Sequence, residues 1–423
     1  MANIFIKTYG CAHNQADSET MAGLLQQAGH TLIEDEERAD LVLINSCTVK
    51  DSSEKRFLND LKRTDTLKVI AGCVPQADPN NPLLQEFSTV GVANLQAVNE
   101  VVEGTLKGSI VRKLDRAHSE RVSLPKVRKN PVIDIIPINS GCLGSCTFCK
   151  TKLSRGSLYS YPIQDIVTQF RLALRENVKE FWLSSEDTGA YGLDLGTSLA
   201  SLLQELLKVK GDYRIRIGMM NPEHVLRDLE NLIPIFQHPN VFKFLHLPIQ
   251  SGSNRILRLM KREYTKEQFT YVIEAFRKAI PRLTVSTDII CGFPSETEEE
   301  FEESWNIVQS CGINIVNTSK FYPRPNTRAA RLKPLHTSVG KTRTKKLSER
   351  FAKLNRALNQ QWIGWKGSVL INEENNGNWI GRNDSYIPVV LSKKEHRLGE
   401  RTGVQIIEAK AFYLIGMEQK PST

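Results

Sequence analysis

Short apolar runs alternate with helix-spaced apolar positions over the first hundred residues. Runs at residues 4–8, 41–44 and 67–71 predict three buried strands. Apolar residues recur at helical spacing over residues 21–28, and a second helix is predicted around residues 53–63. Strands separated by helices are typical of a small parallel α/β sheet, which we expect here.

From residue 132 the same alternation repeats six times. The predicted strands are residues 132–136, 180–184, 213–217, 241–245, 283–289 and 313–319. Six β/α units predict an open, partial (β/α)6 barrel. By analogy with full barrels, its active site is expected at the carboxyl ends of the strands.

After Trp362 the pattern changes to a period of two. Five short strands are predicted, at residues 367–372, 379–382, 385–391, 403–407 and 411–415, and Asn376-Gly377 is a strong hairpin signal. This pattern predicts a small β-barrel similar to an OB-type nucleic-acid-binding module. The fold class is therefore α/β with a C-terminal β-barrel. The expected division is 1–105, a basic linker at 106–130, the partial barrel at 131–360, and 361–423.

Composition narrows the cellular setting. No run approaches 18 apolar residues, so no membrane span is expected, and the N-terminus lacks the features of a signal peptide. Eight cysteines without a secretory signal favour thiols or metal ligands over disulfides. We therefore expect a cytoplasmic protein.

The positive charge of the chain is concentrated in two stretches. Residues 106–130 carry eight Lys or Arg against two acidic residues, which is typical of a solvated connector. Residues 320–350 carry ten against Glu349 alone, which is the footprint expected for binding a polyanion, although part of this run also fits the polar face of a helix. The candidate RNA contacts are Lys320, Arg324, Arg328 and Arg331.

Three cysteines lie within eight residues, at Cys142, Cys146 and Cys149. Each thiolate can bind one iron of a four-iron cluster, which leaves the fourth iron open to a substrate. Gly141 and Gly144 ease the tight wrap that this spacing requires. A zinc site would need a fourth Cys or His with paired spacing, and three unrelated buried cysteines are the remaining alternative.

Three more cysteines each follow one of the first strands. Cys11, Cys47 and Cys73 come one to three residues after a strand, so their thiols are expected on one rim of the parallel sheet. Buried structural cysteines are the alternative interpretation. Cys291 and Cys311 have no such spacing and are predicted to be packing residues.

The eight-residue loop, with the aromatic Phe148 between its last two cysteines, resembles the radical S-adenosylmethionine (SAM) superfamily. The resemblance implies a 4Fe–4S cluster whose open iron chelates SAM, and reduction to a 5′-deoxyadenosyl radical. It also implies that the backbone of Phe148 lies against the adenine. Polar residues at the strand ends become candidate SAM contacts, although each could equally be a strand-end cap: Ser185, Glu186, Gln250 and Asp288.

The whole arrangement resembles the radical SAM methylthiotransferases, with a C-terminal TRAM RNA-binding domain. The resemblance implies that Cys11, Cys47 and Cys73 hold a second 4Fe–4S cluster that carries the sulfur. It implies a tRNA substrate, an electron donor of the flavodoxin or ferredoxin type, and a sulfur donor that the sequence does not identify. One SAM would donate a methyl group to the sulfur, and a second would give the radical that activates the adenine C2–H bond.

Two segments resemble the archaeal and eukaryotic branch of that family. These are residues 149–156 and 185–192, and the branch converts N6-threonylcarbamoyladenosine beside the anticodon to its 2-methylthio derivative. The lack of a hydrophobic tail at the chain end favours a soluble protein of prokaryotic type. The alternatives are a sister enzyme acting on isopentenyladenosine in tRNA or on a ribosomal-protein aspartate, and a non-enzymatic iron–sulfur protein that binds RNA or senses redox state.

Overall fold

The computed structural model of the chain describes residues 1–48, 51–61, 66–116, 121–391 and 395–419, with the backbone alone for residues 51–55. The helix predicted around residues 53–63 and the end of the chain at 420–423 lie partly or wholly outside these ranges. Among the described residues, no helix combines the length and the apolar character that crossing a bilayer requires.

The N-terminal sheet is parallel throughout, in the strand order β2-β1-β3-β4-β5-β6. Its elements are β1 (Asn3–Thr8), α1 (Ala12–Gln27), β2 (Thr31–Leu32), β3 (Leu41–Ser46), α2 (Asp51–Asp60), β4 (Leu67–Gly72), α3 (Cys73–Ala77), β5 (Ser88–Gly91), α4 (Val98–Leu106) and β6 (Arg112–Lys113). Separate apolar clusters cover the two faces of the sheet, which is why β3 is buried along its whole length. The pattern missed β2, β5 and β6 because they are too short to show a period.

The middle region is the open barrel that the alternation predicts. Its strands are β7 (Ile133–Pro137), β8 (Asn139–Ser140), β9 (Tyr159–Ser160), β10 (Glu180–Ser184), β11 (Arg214–Ile217), β12 (Phe244–His246), β13 (Thr284–Cys291) and β14 (Ile315–Lys320). A parallel bridge between Ile215 and Val241 joins the sheet β7-β10-β11 to the sheet β12-β13-β14. Cys291 and Cys311 are buried, as predicted.

Nine α-helices lie among the strands of the barrel region, between residues 131 and 360, which the structure describes throughout. They are α5 (Thr151–Arg155), α6 (Ile163–Arg175), α7 (Leu199–Leu207), α8 (Pro222–Arg227), α9 (Leu229–Gln237), α10 (Asn254–Leu259), α11 (Lys266–Ala279), α12 (Glu298–Ser310) and α13 (Thr337–Asn359). The apolar faces of the longer ones pack on the outside of the strands in one large core. The loops at the carboxyl ends of the strands are therefore left to form a site.

The C-terminal region closes into a five-stranded barrel, in the order β15-β16-β17-β19-β18. The strands are β15 (Lys366–Asn375), β16 (Asn378–Arg382), β17 (Pro388–Leu391), β18 (Arg401–Ala409) and β19 (Leu414–Glu418). Asn376 and Gly377 both have positive φ, at 51° and 75°, as a type I′ hairpin turn requires. Asn372 donates to Glu180 at 2.7 Å and Asp384 pairs with Arg214 at 3.0 Å. Because these partners begin β10 and β11, the small barrel docks at the amino ends of the strands.

The basic linker is only partly a solvated connector. Lys107, Arg116 and Lys129 are exposed, as expected, but Arg121 and Lys126 have buried side chains. Arg121 is 6% exposed, and its Nη1 lies 2.5 Å from Asp17 Oδ1. Lys126 Nζ lies 3.2 Å from the buried Asp134 and donates to a backbone carbonyl at 2.7 Å. Arg121 pairs with a buried carboxylate of the N-terminal domain, and Lys126 pairs with one of the open barrel. The segment therefore contacts both domains through buried ion pairs. Charge counting along the chain cannot detect such partners.

Candidate iron–sulfur and SAM site

The loop at residues 142–149 folds around Gly144. A Cβ built there would lie 3.4 Å from Cys142 Sγ and 3.7 Å from Cys146 Sγ, so two of the thiols flank this position. Gly141 has a φ of 77°, and a Cβ on it would lie 2.0 Å from the carbonyl oxygen of Ser157. Only glycine fits there. We call Cys142, Cys146 and Cys149 the loop triad.

Every sulfur of the loop triad has an N–H donor. The three contacts are Gly144 N–H to Cys142 Sγ at 3.3 Å, Arg262 Nη1 to Cys146 Sγ at 3.0 Å, and Thr151 N–H to Cys149 Sγ at 3.4 Å. Burial, helped by the charge of Asp187, raises the pKa of Cys142 to about 12. A metal would displace that proton, and the N–H donors would then stabilise the thiolates. The loop therefore fits an iron–sulfur cluster.

A polar network that the sequence did not indicate surrounds Cys146. Arg262 also donates to Asn221 Oδ1 through Nη2 and to Tyr264 Oη through Nε, the latter at 2.9 Å. Asn221 Nδ2 in turn donates to Asp187 Oδ2 at 2.6 Å. Glu223 places a buried carboxylate oxygen nearby, and this oxygen has no hydrogen-bond partner in the described part of the chain. These residues lie 41 to 118 positions from Cys146, so no local motif marks them.

The other three cysteines meet at the edge of the N-terminal sheet. β1, β3 and β4 are neighbours, and Cys11, Cys47 and Cys73 follow them directly or within three residues. Asn14 Oδ1 lies 3.8 Å from Cys11 Sγ and 3.6 Å from Cys73 Sγ. A Cβ on Gly10 would lie 2.8 Å from Cys47 Sγ. We call these three cysteines the strand-end triad.

Asn14 fixes the strand-end triad and was also missed. Its amide donates to the carbonyl oxygens of Tyr9 and Ser46, at 3.1 and 2.9 Å, and so holds two of the cysteine loops together. Asn14 is fully buried on the first turn of α1. Burial raises the pKa of Cys73, so that thiol, like Cys142, would lose its proton only to a metal.

Helix α5 links the segments that carry the two triads. This helix directly follows the loop triad, and α3, which begins at Cys73, packs against it. The side chain of Arg155 at the end of α5 pairs with Asp17 at 2.7 Å and with Glu186 at 3.1 Å. His13 Nδ1 lies 2.9 Å from the same Glu186 carboxylate. A buried charged network thus joins the N-terminal domain to the barrel.

Two of the predicted SAM contacts have mainly internal partners. Glu186 accepts from Gly141 N–H at 2.9 Å through Oε2, while Oε1 faces His13 and Arg155. Ser185 Oγ accepts the N–H of Asp187 at 3.0 Å, as a strand-end cap would. Ser185 thus makes the contact expected of a strand-end cap, and Glu186 bridges the loop triad and α1.

The other predicted SAM contacts lie along the barrel rim. Gln250 has a φ of 69°, and its N–H donates to the carbonyl oxygen of Asp288 at 2.8 Å. The Asp288 carboxylate lies 2.7 Å from His246 Nε2. The ring of Phe148 packs against an apolar cluster that contains Phe293. This contact anchors the loop triad to the barrel.

The four predicted RNA contacts divide into two kinds. Arg328 and Arg331 are exposed, and Lys320 is half-buried against Gly340. Arg324 is buried, and its Nη1 donates to the carbonyl oxygen of Thr48, next to Cys47. Part of the remaining positive charge of residues 320–350 is neutralised within the protein. Three of these cations pair with acidic residues of α12: Arg343, Lys346 and Arg350.

Within the described ranges, no three His, Cys, Asp or Glu side chains converge as the ligands of one metal ion would. This finding is compatible with a four-iron cluster, in which each thiolate binds a different iron. The fit of the loop triad to a cluster rests on its thiols and on the N–H donors around them. The fit of the strand-end triad rests on the convergence of its thiols.

Comparison with known proteins assigns three regions of the chain. Residues 3–93 match an uncharacterized protein family, UPF0004, residues 136–306 match the Radical SAM superfamily, and residues 366–417 match the TRAM domain. These matches agree with the parallel sheet, the open barrel and the closed five-stranded barrel seen in the fold.

Relatives match over nearly the whole chain. The threonylcarbamoyladenosine tRNA methylthiotransferase of Drosophila melanogaster is 44% identical, over 98% of this chain and 77% of that protein. A probable threonylcarbamoyladenosine tRNA methylthiotransferase of Pyrococcus horikoshii is 38% identical, over 98% and 99%. Among solved structures, the radical SAM methyltransferase TsrM of Kitasatospora setae superposes with a TM-score of 0.53 at 13% identity, covering 75% of this chain and 72% of that chain. At that identity, the likeness to TsrM concerns the fold alone.

Proposed function

The chain belongs to the threonylcarbamoyladenosine tRNA methylthiotransferases, and we propose that it converts N6-threonylcarbamoyladenosine, beside the anticodon of tRNA, to 2-methylthio-N6-threonylcarbamoyladenosine. The radical SAM family implies a 4Fe–4S cluster and SAM as cofactors. The observation that carries the proposal is the pair of cysteine triads linked by α5 in a chain that ends in a TRAM domain.

Cys142, Cys146 and Cys149 would hold the SAM-binding cluster, which supplies the one-electron chemistry that cleaves SAM. The chain contributes the N–H donors to these sulfurs and the rim that bears Phe148, Ser185, Glu186, Gln250 and Asp288. Because both Glu186 oxygens already have partners within the protein, we propose that Glu186 supports the loop through Gly141 N–H. The unpartnered oxygen of Glu223 is a further candidate to meet a positively charged group of SAM.

Cys11, Cys47 and Cys73 would hold a second 4Fe–4S cluster and present the sulfur to be transferred. The convergence of the three thiols on Asn14 and Gly10 supports this assignment. The exposed Arg328 and Arg331 and the half-buried Lys320 would contact tRNA phosphates. An electron donor of the flavodoxin or ferredoxin type is part of the proposal, and the cytoplasmic location remains a prediction.

A nucleoside mass spectrum tests the function. The anaerobically reconstituted and reduced protein is incubated with SAM and with tRNA that carries threonylcarbamoyladenosine. Matched tRNA without the threonylcarbamoyl group serves as the control. We expect one methylthio group on the modified nucleoside only. If 5′-deoxyadenosine forms while both nucleosides stay unchanged, the substrate assignment is wrong, and isopentenyladenosine tRNA and ribosomal protein are the next substrates to test.

A further inference from the structure

Arg155 is the side chain through which the loop-triad segment reaches the strand-end triad. It is the last residue of α5, six positions after Cys149, yet its guanidinium is 1% exposed and lies among residues of α1. Burying an arginine cation is costly unless its N–H groups find partners. What those N–H groups contact therefore indicates what the residue does.

Two of the three guanidinium nitrogens have protein partners. Nε lies 3.1 Å from Glu186 Oε1, and Nη2 donates to Asp17 Oδ2 at 2.7 Å and to Asn14 Oδ1 at 3.1 Å. Nη1 is fully buried and has no hydrogen-bond partner among the residues that the structure describes. A buried charged donor without an acceptor is unfavourable, so Nη1 needs an acceptor. The side chain of Arg155 also interacts with the Cys73 thiol, which directs the guanidinium toward the strand-end triad.

The position of Arg155 indicates where that acceptor lies. Asn14 Oδ1, which accepts from Nη2, also accepts from the thiols of Cys11 and Cys73, at 3.8 and 3.6 Å. The charge of Arg155 acts on both of these thiols. A group held between Cys11, Cys47 and Cys73 would thus be within reach of the guanidinium.

We propose that Arg155 is a positioning residue of the strand-end site, whose Nη1 donates a hydrogen bond to a sulfur of the cluster held by Cys11, Cys47 and Cys73. The inference rests on the second cluster of the proposed function. A thiolate-ligated cluster becomes more negative on reduction, so a buried cation that donates to its sulfur raises the reduction potential. Since Arg155 directly follows the loop triad, it would also couple the placement of the two clusters.

Arg121 provides a matched control. It is also a buried arginine that pairs with Asp17, at 2.5 Å, but its other contact is His13 rather than Asn14, which contacts the thiols of Cys11 and Cys73. Replacing Arg121 removes the same charge from the same network. A difference between the two arginines then reports contact with the cluster and not the general stability of the domain interface.

The experiment uses the full chain with Cys142, Cys146 and Cys149 replaced by Ala, so that only the second cluster can form. Arg155→Gln, Arg155→Lys and Arg121→Gln are compared in this background. Iron and sulfide per chain are measured after reconstitution, followed by the reduction potential, monitored by electron paramagnetic resonance. We expect Arg155→Gln to shift the potential to more negative values and Arg121→Gln to leave it unchanged. Arg155→Lys keeps the charge but lacks the planar guanidinium with its two Nη groups. It should shift the potential less than Arg155→Gln does and should change the electron paramagnetic resonance spectrum.

Equal potentials for Arg155→Gln and its parent, or equal shifts for Arg155→Gln and Arg121→Gln, would overturn the inference. If Arg155→Gln fails to fold, an unchanged spectrum of Arg155→Lys overturns it instead. If the parent protein, in which Cys142, Cys146 and Cys149 are replaced by Ala, binds no iron, the second cluster and this role of Arg155 are both wrong. Methylthiolation by the unmodified chain is measured separately, so a negative result for Arg155 alone leaves the proposed function standing.

Discussion

The two cysteine triads contain the same three ligands but are built in different ways. The loop triad comes from eight consecutive residues, and two of its three N–H donors belong to its own local backbone. The strand-end triad is assembled from three neighbouring strands and depends on Asn14 and the sheet order. A local spacing can therefore encode one cluster site, whereas the other exists only once the sheet has formed.

The triads also differ in exposure. Each triad has one exposed cysteine, Cys149 in the loop triad and Cys11 in the strand-end triad. The other two cysteines are half-buried in the loop triad, on the rim of the barrel, but buried in the strand-end triad. If the strand-end triad holds a second cluster, as proposed, that cluster would therefore be reached from the side of Cys11 and would be shielded from solvent on the side of Cys47 and Cys73.

The largest effects are expected when one cysteine of either triad is replaced, because the two triads are proposed to serve different steps of the reaction. Cys146→Ala should abolish the cleavage of SAM, because it removes a ligand of the SAM-binding cluster. Cys47→Ala should retain cleavage but abolish methylthiolation. Both are measured as 5′-deoxyadenosine and as modified nucleoside in the same reaction. Normal product from either variant would contradict the assignment of the triads.

Replacing Arg262 should weaken the loop triad alone. Arg262→Met removes the N–H donor to Cys146 Sγ, and the loss of such outer-shell partners typically costs 10–100-fold in affinity or activity. We expect a loss of about that size in the rate of 5′-deoxyadenosine formation, with the second cluster intact by iron analysis. The control is Arg258→Met on the exposed surface of neighbouring α10. Equal rates for the two variants would argue against the role of Arg262.

The exposed cations beside the loop triad should affect RNA binding without affecting either cluster. In the double variant Arg328→Ala/Arg331→Ala, tRNA affinity should fall, and the slope of log K against log salt should decrease by about 1 per lost phosphate contact. Lys345→Ala, at an exposed lysine whose ion pair with Glu349 spans 3.9 Å, is the matched control. Cleavage of SAM without tRNA should be the same in all of these proteins. An unchanged salt slope would exclude Arg328 and Arg331 from the interface.

The smallest effect concerns the charges between the triads. Burial opposes ionisation of Asp17 and Glu186, but Arg121 and Arg155 for the former, and His13 and Arg155 for the latter, hold both carboxyl pKa values below their ordinary range. Because these pKa values are lower in the folded state, the stabilisation is present above about pH 4 and is lost as pH falls below it. Thermal unfolding of the apo chain between pH 7 and pH 3 should show this loss, and Asp17→Asn should reduce it. The same pH dependence in both proteins would exclude Asp17 as a source.

The predicted features that the structure reproduces are those set by local pattern. The β/α alternation, the Asn376-Gly377 turn and the positions of the six strand-end and loop cysteines were all visible in the sequence. The expectations that the structure changes concern charged residues. Arg121 was expected in solvent and is buried. Arg324 is buried and donates to the Thr48 carbonyl, and its contact with RNA stays a prediction.

The physical reason lies in how far apart the interacting residues are. Hydrophobic period, glycine turns and cysteine spacing are properties of a few consecutive residues, so the fold class and the loop triad could be predicted from them. The partner of a buried charge is supplied by another element: Arg155 pairs with Asp17 across 138 positions, and Arg262 donates to Cys146 across 116. These pairs could not be predicted from the sequence, because a buried charge requires an opposite charge or an acceptor, and the packing of distant elements determines which one lies near it.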